Sequence, residues 1–206
     1  MLDAFLKGGV IMYPILLCSI VALAVVIERM IVLLRRNADA DELLEDVRYA
    51  VDAGRIIEAL QIAKRSRSPL SNMIVAALTS MGKPRTEVEE MVRTAGEQEL
   101  RRLEKNLPIL ELVVTIAPML GLLGTVVGII KSFNVLGATA GLTDPAVLSI
   151  GIAEALITTA AGLIVAIPTQ AMYTYLNGLI ERHVSVMNRK SLEIVSLAVS
   201  NRSDVA

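Results

Sequence analysis

Three stretches of this chain are long enough and apolar enough to cross a lipid bilayer as helices, a passage that takes roughly 20 residues. The first runs from about Gly9 to Leu34 and is broken only by Glu28 and Arg29 near its end. The second is "LVVTIAPMLGLLGTVVGII", Leu112 to Ile130. The third begins near Pro145 and reaches about Ile180, with Glu154 as its one charge. Composition agrees. Of the 206 residues 54% are hydrophobic but only 3% aromatic, the balance of membrane helices rather than of a soluble core. The first run has only a weak basic region before it and is long for a signal peptide, so a retained helix is expected. The fold class expected is an all-α integral membrane protein.

Lys and Arg set the orientation. Residues 35–105 hold most of them, whereas the link "NVLGATAGLTD", 134–144, holds none. The positive-inside rule therefore places 35–106 and the C-terminal tail in the cytoplasm, and the N-terminus and the link outside. The expected plan is 1–34 for the N-terminal segment and first span, 35–106 for a cytoplasmic helical region, 107–133 for the second span, 134–144 for a periplasmic link, 145–180 for the third span and 181–206 for a cytoplasmic helix.

The cytoplasmic stretch is periodic. "DADELLEDVRYAVDAG" opens on acidic cap residues, repeats Leu43, Leu44, Val47 and Val51 at helical spacing, and stops at Gly54. A short helix carrying Ile56, Ile57, Leu60 and Ala63 follows, and Ser68-Pro69 starts another. Thr86 with Glu89 reads as a capping box. From Thr86 to Phe133 the pattern suggests one helix, about 70 Å long, that Pro108 and Pro118 bend without ending. Beyond the third span, Ile180, Val184, Met187, Ile194 and Ala198 continue an amphipathic stripe. His183 reads as a surface or packing residue in this scaffold.

Several functions are disfavoured. A net charge of −1 offers no pull toward nucleic acid. One cysteine, Cys18, and one histidine make neither an internal disulfide nor a zinc cluster. Gly121, Gly124 and Gly128 are not a phosphate loop, because no Gly-Lys-Ser/Thr follows. A substrate transporter would be expected to show internal repeats and broken helices.

Glu154 is the main candidate for chemistry. A carboxylate at the centre of a membrane helix costs on the order of 3 kcal/mol, so such a residue is functional by default. It lies roughly 14 Å along the helix from Pro145, and snorkelling to the surface is the bland alternative. Thr158 falls about 40° from it around the helix and Thr159 about 140°, so Thr159 is aimed elsewhere, toward a neighbouring subunit's side of a pore. Either threonine can instead bond its own helix's carbonyl. Gly124 and Gly128 form a small-xxx-small pair, and Gly121, Gly151 and Gly162 are expected in helix packing too. Lys131 and Asn134 mark the outer end of the second span, where Lys can snorkel.

Taken together, "APMLGLLGTVVGIIKSF" and "GIAEALITTAAGLIVAIP" resemble the proton-channel family that includes ExbB, TolQ and the flagellar stator subunit MotA. The likeness extends to "GGVIMYPILLCSIVALAVVIERM" and to the three-span plan, and ExbB or TolQ is the nearer type. It implies a homopentamer in the inner membrane, around a pore lined by the second and third spans. It also implies two copies of an ExbD- or TolR-like single-span partner in that pore, and a TonB- or TolA-like protein beyond. The family's pore residues match Thr125, Glu154 and Thr159. Such a subunit is not an enzyme and holds no cofactor; H⁺ is its coupling ion. Thr158 stands where many proton-using relatives have Ala, which keeps Na⁺ open as an alternative, as is a scaffold without an ion path.

Overall fold

A bilayer offers no water to bond a free N–H or C=O, so a spanning segment closes its own hydrogen bonds as a helix. The computed structural model describes residues 8–35, 40–138 and 145–200, and every regular element among them is an α-helix. These are α1 (Met12–Leu34), α2 (Ala40–Asp52), α3 (Ile56–Arg65), α4 (Ser71–Thr79), α5 (Arg85–Leu103), α6 (Leu107–Ala138) and α7 (Pro145–Ser200). Three of them, α1, α6 and α7, are long and apolar enough to cross a membrane.

The chain divides into two units, one of residues 1–28 and 106–175, the other of 29–105 and 176–206. In the first, Leu110, Val113 and Ala117 of α6 and Ala155 and Ala166 of α7 are buried. Met119, Leu122, Leu163, Ile164 and Ile167 instead face outward and are largely exposed. An outward apolar face of this extent needs lipid or another subunit against it. Polar contacts gather where α6 begins. Asn106 Nδ2 donates to Glu28 Oε2 at 2.7 Å, and Tyr173 Oη donates to Glu111 Oε2 at 3.4 Å.

The second unit packs α2 to α5 and the later part of α7 around an aliphatic core. Val47, Ala59, Leu70, Val88, Leu103 and Ile194 have essentially no exposed surface. The stripe expected on α7 is there: Ile180, Met187, Ile194 and Ala198 are buried and Val184 is half-buried. Gly54 ends the turn after α2 with φ 74°, a left-handed conformation that costs glycine nothing. Lys190 Nζ on α7 donates to Asp41 Oδ1 at 2.7 Å in the first turn of α2. The bonded ammonium holds the Asp41 carboxyl below its usual range, and Asp41 and Glu193 raise Lys190 in return.

Three expectations change. The single helix from Thr86 to Phe133 is two helices, interrupted at Glu104–Asn106. Asn106 takes φ 66°, and Pro108 then sits in the first turn of α6, where its missing N–H is harmless. Asn is the side chain besides Gly that best tolerates this conformation, so a sequence scan for Gly and Pro overlooks the break. The capping box at Thr86 does not form. Pro84 precedes the helix, its carbonyl accepts the N–H of Glu87 and Val88, and Glu89 pairs with Arg85 instead. Finally, α6 continues to Ala138 rather than ending at Phe133, because Asn134–Leu136 contains no breaker and a helix need not stop at the lipid. The remainder of the 134–144 link, the first seven residues, Asp39 and the tail beyond Ser200 lie outside the described residues.

The break at Asn106 is testable. Asn106→Gly keeps the backbone relaxed and loses only the bond to Glu28. Asn106→Val adds left-handed strain, costing about 1–2 kcal/mol more. Thermal unfolding in detergent should therefore rank wild type above Asn106→Gly, and that well above Asn106→Val.

Candidate functional site

The site is built where α6 and α7 touch, and glycine sets how closely. A methyl group on Gly121 would stand 3.0 Å from Thr159 Cα, and one on Gly128 would stand 2.9 Å from the Gly151 carbonyl oxygen. On Gly162 it would meet the Ala117 carbonyl oxygen at 2.5 Å. On Gly124 it would overlap the Thr158 hydroxyl, and on Gly151 the Ser132 hydroxyl. All five glycines thus lie in one contact, where missing side chains let the backbones close on each other.

The threonines fill that contact. Thr158 is 1% exposed, and its hydroxyl donates within its own helix, to Ala155 O at 2.8 Å and Glu154 O at 3.2 Å. Thr159 crosses to the other helix, donating to Gly121 O at 3.0 Å. The expectation that Thr159 is aimed at a neighbouring subunit therefore changes. At this crossing the helices are close enough for its hydroxyl to reach a carbonyl of the same chain. Thr125 donates to Leu122 O at 2.6 Å and lines an apolar cavity of about 320 Å³ with Ile129, Phe133, Ile152 and Leu156. Glu154, Thr158 and Thr159 are not among the walls of that cavity.

Glu154 has a partner that the sequence reading missed. Lys131 Nζ donates to Glu154 Oε1 at 2.8 Å, the two side chains being 52% and 22% exposed. Lys131 is thus the counter-charge of the carboxylate rather than an isolated snorkelling residue. The signal was present in the spacing. Lys131 stands roughly 10 Å before the end of α6 and Glu154 roughly 14 Å after the start of α7, so two antiparallel helices bring them level. Gly9, with φ 69°, passes so close that a methyl group on it would collide with the Glu154 carboxylate, standing 3.1 Å from its Cδ. The carboxylate is therefore bonded by an ammonium, backed by bare backbone, and still open enough to exchange partners.

Paired apolar helices, small residues at their contact and one carboxylate answered by one ammonium define a helical membrane protein with ionisable groups placed between its spans. The comparisons name the class more closely. Residues 65–189 match the MotA/TolQ/ExbB proton channel family, and the chain belongs to that family. It is 39% identical to a putative ExbB-like biopolymer transport protein of Synechocystis over 81% of this chain and 66% of that protein. It is 34% identical to a putative ExbB homologue of Methanothermobacter thermautotrophicus, over 89% of this chain and 65% of the relative. It is 27% identical to the Tol-Pal system protein TolQ of Haemophilus influenzae, over 85% and 83%. The chain thus spans just under two thirds of the length of the first two relatives.

The helix contact makes a prediction. Gly124→Ala forces Thr158 aside and should destabilise the protein by about 1–3 kcal/mol. Gly137→Ala, on the same helix with open space around it, should be neutral or slightly stabilising. Equal melting temperatures for the two variants in the same detergent would count against the close contact.

Proposed function

We propose that this chain is the ion-path subunit of an inner-membrane machine that turns the proton-motive force into mechanical work on the periplasm or outer membrane, as in TonB-dependent nutrient import. The supporting observation is Glu154, an ionisable side chain on an otherwise uncharged span, held at 2.8 Å by Lys131 across a glycine-lined contact. A carboxylate so placed offers a charged station on an apolar span, where a partner's acidic group can compete for its counter-charge. The driving force suffices, since one charge crossing 100 mV yields about 2.3 kcal/mol. The reading assigns the chain no covalent chemistry and no cofactor.

H⁺ is favoured over Na⁺ as the coupling ion. Sodium needs several oxygen ligands together, whereas the hydroxyls of Thr125, Thr158 and Thr159 are turned to backbone carbonyls at separate points. The functional assembly in this reading is a pentamer around two ExbD- or TolR-like single-span helices, with a TonB- or TolA-like protein beyond. The N-terminus is periplasmic and the C-terminus cytoplasmic. The ExbB-like role comes first, because the relatives at least 32% identical over most of this chain are named for biopolymer transport, whereas the TolQ relatives match either at 27% or over less than half of the chain. Envelope maintenance is the TolQ-like alternative.

The test combines assembly with output. Glu154→Gln, co-expressed with the partner, should keep the native mass of five copies plus two and lose at least about tenfold in the driven process, the scale of losing a proton-transfer group. Lys131→Gln should leave assembly intact and lower output less. Full output from Glu154→Gln would remove the residue from the ion path. A complex that is never larger than a dimer would remove the ring.

A further inference from the structure

The cytoplasmic-type unit holds a cavity that the ion path does not use. Its volume is about 500 Å³, within the range of small-molecule sites. Arg35, Lys64 and Arg67 line it, arriving from three places: the end of α1, the last turn of α3 and the loop before α4. Ser66 and Ser68 lie between them. The Ser66 hydroxyl accepts the Ser68 N–H at 3.1 Å and the Ser68 hydroxyl accepts the Leu70 N–H at 3.3 Å, which orients both oxygens and leaves their O–H protons to donate.

The charges around this cavity are unbalanced. Arg55, Lys83, Arg85, Arg93, Arg102 and Lys190 each have a carboxylate within 4.0 Å. Arg35, Lys64 and Arg67 have none among the described residues. The one carboxylate in the wall, Glu99, is buried and already engaged, accepting from Asn72 Nδ2 at 2.6 Å with Arg102 at 3.5 Å. Three cations converging on one hollow repel one another unless an anion joins them. Hydroxyl donors among Arg and Lys suit the oxygens of a phosphate group.

We propose that this cavity binds the phosphate of an anionic glycerophospholipid headgroup. The position of the cations selects lipid over a soluble phosphate. Val32, in the last turn of α1, and Arg35, directly after it, both line the cavity, and α1 is long and apolar enough to span, so a headgroup layer at the end of that helix lies beside these residues. Ile31 of the same helix, one turn before Arg35, is apolar and exposed. The site is independent of the ion path at Glu154.

The full chain, with its partner where the complex requires it, is reconstituted in phosphatidylcholine vesicles with and without phosphatidylglycerol, and separately with inorganic phosphate. Melting temperature and lipid retained in native mass spectrometry are read. Phosphatidylglycerol should stabilise wild type and the Arg93→Gln control. It should be retained by both, and the amount needed should rise about tenfold or more in Lys64→Gln/Arg67→Gln. The exposed positions of Lys64 and Arg67 keep that variant folded, and Arg35→Gln provides a second, milder test. Equal stabilisation by inorganic phosphate, lost in the same variant, would support the phosphate site with a soluble source. No response in wild type, or a double variant that responds like wild type, would overturn the proposal.

Discussion

The close approach of α6 to α7 is the constraint on which the candidate site depends. It comes from absent atoms. At Gly124 and Gly151 a methyl group would overlap a hydroxyl on the facing helix, and at Gly162 it would press on a backbone carbonyl. Lipid tails are as apolar as leucine, so hydrophobicity alone gives two spans little reason to associate. Close packing and interhelical hydrogen bonds supply the reason. The Thr159–Gly121 bond exists because the backbones are this near, and the same register carries Lys131 to Glu154.

That register also resolves the problem of a charge on an apolar span. An isolated carboxylate in hydrocarbon, stripped of its water and without a partner, is costly. An ammonium at 2.8 Å offsets that cost while both side chains keep some exposure. A fully buried pair would resist change, and an exposed one would be screened to little effect. The intermediate case suits the exchange of electrostatic partners proposed for Glu154. The rest of the chain serves as scaffold by conventional means, with aliphatic cores, a glycine turn after α2 and surface ion pairs along α5.

Much of the architecture was legible in the sequence, because long apolar runs and three-or-four spacing report directly on helices. The spans, the amphipathic end of α7 and the glycine contact were all readable in this way. The break at Asn106 was less so, since the residue is not a strong breaker and acts by tolerating a left-handed φ. The capping box at Thr86 failed because Pro84 starts the helix earlier, which places Thr86 inside it. Within the candidate site, Glu154 stood out as the lone charge in its span. Its partner did not, because Lys131 lies 23 positions away and only an antiparallel register makes the two neighbours. The aim of Thr159 was misjudged for a related reason: angular position around one helix says nothing of how near the next helix comes.

The most direct measurement is ion flux into proteoliposomes holding the chain and the single-span partner proposed for it, driven by an imposed potential in sodium-free buffer and read by an internal pH dye. The account predicts acidification by wild type and its loss in Glu154→Gln, with the complex intact. Flux through Glu154→Gln equal to wild type, or flux that appears only when sodium is added, would contradict it.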